Sequence, residues 1–178
     1  MADMKKLVIF DLDGTLTNTV PDIEDNVNKT MRKFGYPEIT ADEARRFVGN
    51  GAKILIERSL KGATPENFDE IVAFYNDSYN FCGSPKTCVY GQREGVKTKP
   101  SKEPVEIVLK ALSVEKRDAV YVGDSEVDAL TAKNSGLYGI SVLWGFREKE
   151  LLVENGATVF AATAKELREK IENYFVNL

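Results

Sequence analysis

The chain contains no histidine and only two cysteines among its 178 residues. A catalytic relay that joins serine or cysteine to histidine is therefore excluded, and so is a histidine-ligated zinc site. Cys82 and Cys88 do not form a Cys-x-x-Cys pair, so we expect reduced thiols and a cytoplasmic location. Chemistry in this protein must depend on carboxylates, lysine, hydroxyls and a bound metal.

Long apolar segments and a strong charge imbalance are also missing. No stretch approaches the roughly 20 apolar residues that cross a bilayer, and the N-terminal residues lack a signal-peptide pattern, so we expect no membrane partner. The formal net charge is −4 with both signs interspersed, which argues against a nucleic-acid partner. Dinucleotide and nucleoside-triphosphate loop motifs are absent.

Two carboxylates follow the first apolar segment. Leu7–Phe10 has the pattern of a buried strand, and Asp11 and Asp13 come directly after it, before Gly14. In an extended chain both side chains project to the same side, where they repel unless a cation lies between them or one is protonated. The pair therefore predicts a divalent metal, with Mg²⁺ as the expected ion. An ordinary Asp-Gly turn is the alternative interpretation.

The order of predicted elements indicates an α/β fold with a helical insertion. Strand patterns occur at residues 7–10, 119–122 and 139–143, and more weakly at 157–160. Residues 20–82 show helical periodicity without a strand pattern, with a capping box predicted at Thr40–Glu43 and another helix start at Thr64-Pro65. Further helices are predicted at 103–112, 126–135 and 164–175. Strands that alternate with helices predict a parallel sheet.

A second carboxylate pair follows another predicted strand. Asp124 and Asp128 lie four residues apart where a helix begins, so both can face one side. Taken alone, Asp124 is better explained by a helix N-cap. Together with Asp11 and Asp13, the pair predicts a Mg²⁺ site at the carboxyl edge of the sheet.

Three further strings carry candidate functional residues. Lys97 and Lys99 lie ahead of the helix predicted at 103–112, where a lysine can reach a phosphate or an anionic intermediate, although a solvated loop lysine is the commoner case. Lys99, fixed ahead of Pro100, is the better candidate of the two. The turn Gly49–Gly51 is either a connector between helices or a segment that reaches the site. Trp144–Arg147 either contacts the site or packs in the core.

Together these strings resemble the phosphatases of the haloacid dehalogenase superfamily, and within it the bacterial phosphoglycolate phosphatases. The matching strings are Asp11–Leu16, Val48–Gly51, Gly91–Gly95, Thr98–Pro100, Gly123–Asp128 and Val142–Arg147. The resemblance implies a Rossmann-like parallel-sheet core formed by residues 1–19 and 83–178. It also implies an α-helical cap formed by residues 20–82.

The resemblance further implies a Mg²⁺-dependent phosphatase acting on a small phosphorylated metabolite, with 2-phosphoglycolate the leading candidate. Asp11 would be the nucleophile that becomes an aspartyl-phosphate, and Asp13 the acid and then the base. Lys99 would stabilise charge on the phosphoryl group. Mg²⁺ would be held by Asp11, the backbone oxygen of Asp13 and Asp124, with Asp128 in support.

The chain departs from the superfamily at one point. Members carry a second motif, a Ser or Thr that ends another apolar strand, between the cap and the lysine motif. Here Thr87–Tyr90 runs directly into Gly91, so a strand-helix-strand stretch is missing near residues 90 and 91, which would expose a sheet edge. Ser84 and Thr87 are hydroxyls that follow no apolar strand. Either a segment is omitted from the sequence, or the chain is a shortened variant with impaired catalysis.

Two alternatives to the phosphatase therefore stay open: a phosphosugar mutase of the same superfamily, and a catalytically impaired remnant that binds phosphate or metal. For the phosphatase, we expect the cap to close over the core and exclude water. Gly49, Asn50 and Gly51 are the candidate cap residues that reach the substrate, and Lys53 is the nearest cation for its carboxylate. A monomer or a homodimer is expected.

Overall fold

The computed structural model describes residues 5–78, 91 and 93–177. The chain divides into two compact units, one formed by Met1–Asn18 with Gln92–Leu178 and the other by Thr19–Gly91. Strands occur in the first unit, whereas the described part of the second is helical. Residues 83–90, at the predicted second boundary of the cap, lie outside the described residues, so the predicted domain limits stay a prediction.

Within the described residues, four parallel strands form one sheet. They are neighbours in the order β1 (Leu7–Phe10), β2 (Ala119–Gly123), β3 (Tyr138–Val142) and β4 (Phe160–Ala161). The parallel sheet predicted from the alternation of strands and helices is confirmed. The last strand was placed too early: pairing with β3 begins at Phe160, and the predicted segment 157–160 is mostly the approach to it.

The second unit contains four described helices: α1 (Val20–Phe34), α2 (Ala41–Phe47), α3 (Ala52–Ser59) and α4 (Phe68–Ser78). Thr40 and Glu43 form the capping box that the sequence predicted before α2. The helix start predicted at Thr64 was too early, because α4 begins at Phe68. Apolar side chains that recur at helical spacing are buried between these helices, among them Ile23, Val27, Met31, Ile56 and Ile71.

The remaining helices belong to the first unit: α5 (Glu103–Leu112), α6 (Glu126–Ser135), α7 (Lys149–Glu154) and α8 (Ala164–Val176). The limits predicted for α5 and α6 are confirmed, whereas the short α7 was not predicted. A 3₁₀ turn at Lys116–Asp118 leads into β2. None of the described helices combines the length and the apolar character that crossing a membrane requires.

Side-chain alternation along β2 divides the core of the first unit into two layers. Ala119 and Tyr121 pack with α5 and α6 on one face of the sheet, in a cluster that includes Val105, Leu109 and Ala132. Val120 and Val122 pack with α8 on the opposite face, in a cluster that includes Ile140, Val142, Ala161 and Leu167. A parallel sheet covered on both faces leaves the carboxyl ends of its strands as the place for a ligand.

Candidate active site

Carboxyl groups from the ends of two neighbouring strands meet at this edge of the sheet. Asp11 follows β1, and its backbone N–H donates to the Val122 carbonyl at 2.8 Å, which extends the strand pairing by one residue. Asp124 follows β2, and Asp128 lies in the first turn of α6. One carboxylate oxygen from each of these three aspartates lies within 4.8 Å of the other two. The motif that carries Asp11 and the motif that carries Asp124 and Asp128 therefore lie close together, as the sequence predicts.

Lys99 lies among these carboxylates. Its Nζ is 2.6 Å from Asp11 Oδ1 and 2.7 Å from Asp128 Oδ1. The loop that carries it is tied to α6, because the Asn134 amide donates to the Pro100 carbonyl at 2.8 Å. Lys97, the other lysine of this string, is exposed. The structure thus places at the site the lysine that the sequence favoured.

Asp128 is held by four hydrogen bonds from the protein. Its Oδ1 accepts from Lys99 and from the Tyr121 hydroxyl at 3.0 Å. Its Oδ2 accepts from the backbone N–H of Ser125 at 3.2 Å and from the Ser125 hydroxyl. These donors use most of the acceptor capacity of the carboxylate. The geometry therefore suits Asp128 to positioning Lys99 more than to presenting an open edge to an ion.

Asp124 is 1% exposed and is fixed from two directions. The Thr15 hydroxyl donates to Oδ1 at 2.9 Å, and the backbone N–H of Phe146 donates to Oδ2 at 2.7 Å. Gly14 has φ +86°, and a Cβ at this position would lie 2.5 Å from Asp124 Oδ2. Glycine is therefore required there both for the backbone conformation and for the approach of the carboxylate.

The three clustered carboxyl groups carry more negative charge than Lys99 can neutralise. Burial, Asp128 and Asp124 raise the pKa of Asp11 to about 7, although Lys99 opposes them. Burial also raises the pKa of Asp124, partly offset by the hydrogen bonds from Phe146 and Thr15. Burial alone would lower the pKa of Lys99, but Asp128, Tyr121 and Asp11 outweigh it and hold that pKa well above its usual value. A divalent cation would relieve the remaining repulsion, so the donor set fits a hard metal ion.

Asp13 lies in the turn that follows β1. It forms a backbone bridge with Thr17, and the Gly14 N–H donates to the Thr17 carbonyl at 2.8 Å. Its carboxylate is not part of the acidic cluster found among the described residues, so the structure offers no carboxylate of Asp13 to a metal there. Its role as acid and base stays a prediction.

The predicted cap residues all belong to the helical unit. Gly49 and Gly51 have φ +116° and +85°, so this turn needs glycine at both positions. Asn50 between them is half-buried, and Lys53 is exposed with Nζ 3.6 Å from Asp69 Oδ1. Their participation in a site stays a prediction.

Several sequence features fall outside the described residues. Cys82, Cys88, Ser84 and Thr87 are among them, and so is most of the junction near residues 90 and 91. The predictions made for these residues are therefore not addressed by the structure.

Tyr121 is a site residue that the sequence interpretation missed. It was assigned only to an apolar strand, yet its hydroxyl reaches Asp128, and burial followed by Asp128 holds its pKa well above 10. A signal was available, because a tyrosine inside a buried strand needs a partner for its hydroxyl. Thr15 and Ser125 lie within the predicted motifs but were given no role, and for Phe146 contact with the site was one of two interpretations.

We predict that Tyr121→Phe lowers the free energy of unfolding by about 1.5–3 kcal/mol, because it removes a buried hydrogen bond to a carboxylate. Tyr174→Phe is the matched control. Its hydroxyl donates to the Arg117 carbonyl at an exposed position, and its loss should cost at most about 1 kcal/mol. Urea unfolding followed by circular dichroism measures both variants, and equal losses would contradict the role assigned to the Tyr121 hydroxyl.

Comparison with known proteins agrees with this geometry. The family model for haloacid dehalogenase-like hydrolases matches residues 8–82 and 84–142. A phosphoglycolate phosphatase from Pseudomonas aeruginosa is 25% identical over an alignment that covers 92% of this chain and 79% of the relative. Another from Vibrio vulnificus is 27% identical, covering 93% of this chain and 96% of the relative. These alignments run to 214 and 218 positions, more than the chain has residues, so both relatives contain stretches without a counterpart here.

A crystal structure of a proposed phosphoglycolate phosphatase from Lactobacillus delbrueckii subsp. bulgaricus superposes with a TM-score of 0.79. It is 24% identical and covers 95% of this chain and 99% of that one, which establishes the fold. The predicted α/β fold and the predicted enzyme class, a phosphoric monoester hydrolase resembling phosphoglycolate phosphatases, are confirmed by these matches. The chain belongs to the haloacid dehalogenase-like hydrolases.

Proposed function

We propose that this chain is a Mg²⁺-dependent phosphatase that hydrolyses a small phosphomonoester through an aspartyl-phosphate on Asp11. The observation that carries the proposal is the contact of Lys99 Nζ with Asp11 Oδ1 at 2.6 Å, beside Asp124 and Asp128. A carboxylate at the end of a strand, paired with one fixed cation and crowded by two further acids, has the surroundings of a nucleophile that meets an anionic phosphate.

In the first step, a carboxylate oxygen of Asp11 forms a bond to phosphorus, and the bond from phosphorus to the ester oxygen breaks. The leaving alkoxide takes a proton from the carboxyl group of Asp13. In the second step, Asp13 takes a proton from water as the water oxygen bonds to phosphorus. The bond between phosphorus and Asp11 then breaks, which releases inorganic phosphate and restores both side chains.

Lys99 has two functions in this scheme. Its ammonium group favours the ionised form of Asp11 and offsets the negative charge of the transferring phosphoryl group. Asp128 keeps the ammonium in place, since its Oδ1 lies 2.7 Å from Nζ. Asp128 is itself fixed by hydrogen bonds from Tyr121 and Ser125, so these residues help to hold the ammonium group of Lys99 in position.

Asp11, Asp124 and the backbone oxygen of Asp13 are the groups that we assign to Mg²⁺, with Asp128 in support. When bound, Mg²⁺ supplies positive charge that neutralises phosphoryl oxygens. The fit of the ion rests on the three clustered carboxyl groups, which bring together more negative charge than Lys99 can offset.

We propose 2-phosphoglycolate as the leading substrate. The proposal is supported by the names of the two relatives and by the strings that this chain shares with such phosphatases. The helical unit would act as a cap that excludes water, with Asn50 and Lys53 directed to the substrate carboxylate. The 3.6 Å pair of Lys53 with Asp69 is exposed, so it would cost little to break.

Because the second hydroxyl motif is missing, a second candidate function is a remnant that binds phosphate or metal without turnover. Release of inorganic phosphate from a panel of small phosphomonoesters separates the candidates. Phosphate release supports the hydrolase, isomerisation of a phosphosugar without release would indicate a mutase, and binding without either reaction would indicate the remnant.

We predict that Asp11→Asn lowers kcat for 2-phosphoglycolate at least about 1000-fold, because it removes the nucleophile. Binding should persist, as measured by calorimetric titration of the variant with 2-phosphoglycolate and Mg²⁺. Asp25→Asn, at an exposed position of α1, is the control and should keep wild-type kcat. A kcat of Asp11→Asn within tenfold of the wild-type value would contradict the assignment of Asp11 as the nucleophile.

For the cap, we predict that Asn50→Ala or Lys53→Ala raises KM for 2-phosphoglycolate about tenfold and changes KM for an aryl phosphate by less than about twofold. A tenfold change corresponds to about 1.4 kcal/mol, the size of one hydrogen bond to a charged group. Lys29→Ala, at an exposed position of α1, is the control. Equal changes in KM for both substrates would indicate that the Gly49–Gly51 turn only connects two helices.

A further inference from the structure

The segment that follows β3 lies against the acidic cluster. Its string, Trp144-Gly-Phe-Arg147, was open to two interpretations from sequence, a contact with the site or packing in the core. The exposed fraction of Trp144 is 41%, so this side chain is not part of the core. Its indole N–H instead donates to the turn after β1.

The first contact is a hydrogen bond between this segment and Asp124. The Phe146 N–H donates to Asp124 Oδ2 at 2.7 Å, one of the two oxygens of a nearly fully buried carboxylate. A backbone donor has a fixed direction, and a short bond to a charged acceptor is stronger than one between neutral groups. This bond therefore sets the rotation of the Asp124 carboxylate plane.

The second contact is steric. A Cβ placed on Gly145 would lie 2.1 Å from Asp124 Cβ and 2.3 Å from Asp124 Oδ2. Real side chains do not approach so closely, so the segment can meet Asp124 only with glycine at this position. No left-handed backbone conformation is involved at Gly145, and the requirement is one of space.

Both ends of the segment are anchored to other elements of the same unit. The Trp144 indole N–H donates to the Thr15 carbonyl at 3.0 Å, and the hydroxyl of Thr15 donates to Asp124 Oδ1. At the other end, Arg147 Nε lies 2.9 Å from Glu126 in the first turn of α6. Hydrogen bonds thus run from Trp144 through Thr15 to one oxygen of Asp124, and from Phe146 to the other.

We propose that Trp144–Phe146 is a positioning element for Asp124, which fixes the direction of this carboxylate and thereby sets the affinity of the site for Mg²⁺. The inference rests on the proposed function in so far as Asp124 is taken as a metal ligand. Neither Trp144 nor Phe146 touches the reacting atoms in this scheme, since both act through Asp124.

Calorimetric titration of the full chain with Mg²⁺ tests the inference without reference to turnover. We expect Gly145→Ala to raise the Kd for Mg²⁺ at least about tenfold, because the new Cβ displaces Asp124. Trp144→Phe keeps an aromatic ring and loses only the N–H donor, so we expect a rise of about threefold or more. Asp124→Asn, with a neutral ligand, should raise Kd at least as much as Gly145→Ala.

Gly91→Ala is the matched control. Gly91 is exposed, it has no positive φ, and a Cβ there would meet nothing within 4 Å. Its Kd for Mg²⁺ should equal that of the wild type. Thermal unfolding without metal identifies any variant that fails to fold. If Gly145→Ala fails to fold, Trp144→Phe provides the test, because Trp144 lies at the surface and the substitution keeps an aromatic ring.

Fluorescence supplies an independent readout. Trp144 is the only tryptophan in the chain, and its indole contacts the turn that carries Asp11 and Asp13. We expect Mg²⁺ to change the emission of the wild-type protein, with the midpoint equal to the calorimetric Kd.

The outcomes separate this inference from the proposed function. If the wild type binds Mg²⁺, Asp124→Asn weakens binding and both segment variants keep the wild-type Kd, the positioning role is overturned and the proposed metal site stands. If the wild type binds no Mg²⁺, the metal site itself fails and the inference fails with it. A raised Kd in Trp144→Phe, with its unfolding temperature unchanged, supports the inference.

Discussion

Three carboxyl groups lie within 4.8 Å of one another beside a single lysine, and much of the surrounding structure serves to hold them there. Two unit charges about 4 Å apart repel by about 4 kcal/mol at an effective dielectric constant of about 20. Lys99 offsets part of this repulsion through its contacts with Asp11 and Asp128. Burial, followed by the charge of Asp128, raises the pKa of Asp11 to about 7 despite the opposing effect of Lys99. Such a site needs both rigid donors and additional positive charge.

The fold supplies the rigid donors from different parts of one unit. Parallel pairing of β1 and β2 brings Asp11 and Asp124 to the same edge, and the capping box of α6 fixes Asp128 through Ser125. Tyr121 reaches Asp128 from within β2. Because each aspartate is fixed by groups from an element other than its own, the arrangement cannot relax by a simple rotation of one side chain. The negative charge that Lys99 does not neutralise is thus available to a metal ion.

Much of this site could be predicted from local sequence, because its carboxylates directly follow apolar strands and its lysine precedes a proline and a helix. Parallel pairing then requires Asp11 and Asp124 to meet, whatever the details of the loops. What could not be predicted is which partner each buried polar group has. A tyrosine in a buried strand indicates that its hydroxyl needs a partner, but nothing in the local sequence identifies Asp128 as that partner. The bond from the Phe146 N–H to Asp124 likewise has no local pattern. The short helix α7 and the true start of α4 were missed because six residues carry little periodicity and because Thr64-Pro65 imitates a helix start.

The formation of an aspartyl-phosphate on Asp11 can be measured without relying on rates. The wild-type protein would be mixed with 2-phosphoglycolate and Mg²⁺, quenched during turnover, reduced with borohydride and digested for peptide mass spectrometry. Reduction converts an acyl phosphate of aspartate to homoserine, and we expect this product at position 11 in the wild type and not in Asp11→Asn. Homoserine at another aspartate, or steady release of phosphate with no reducible intermediate at Asp11, would contradict the proposed mechanism.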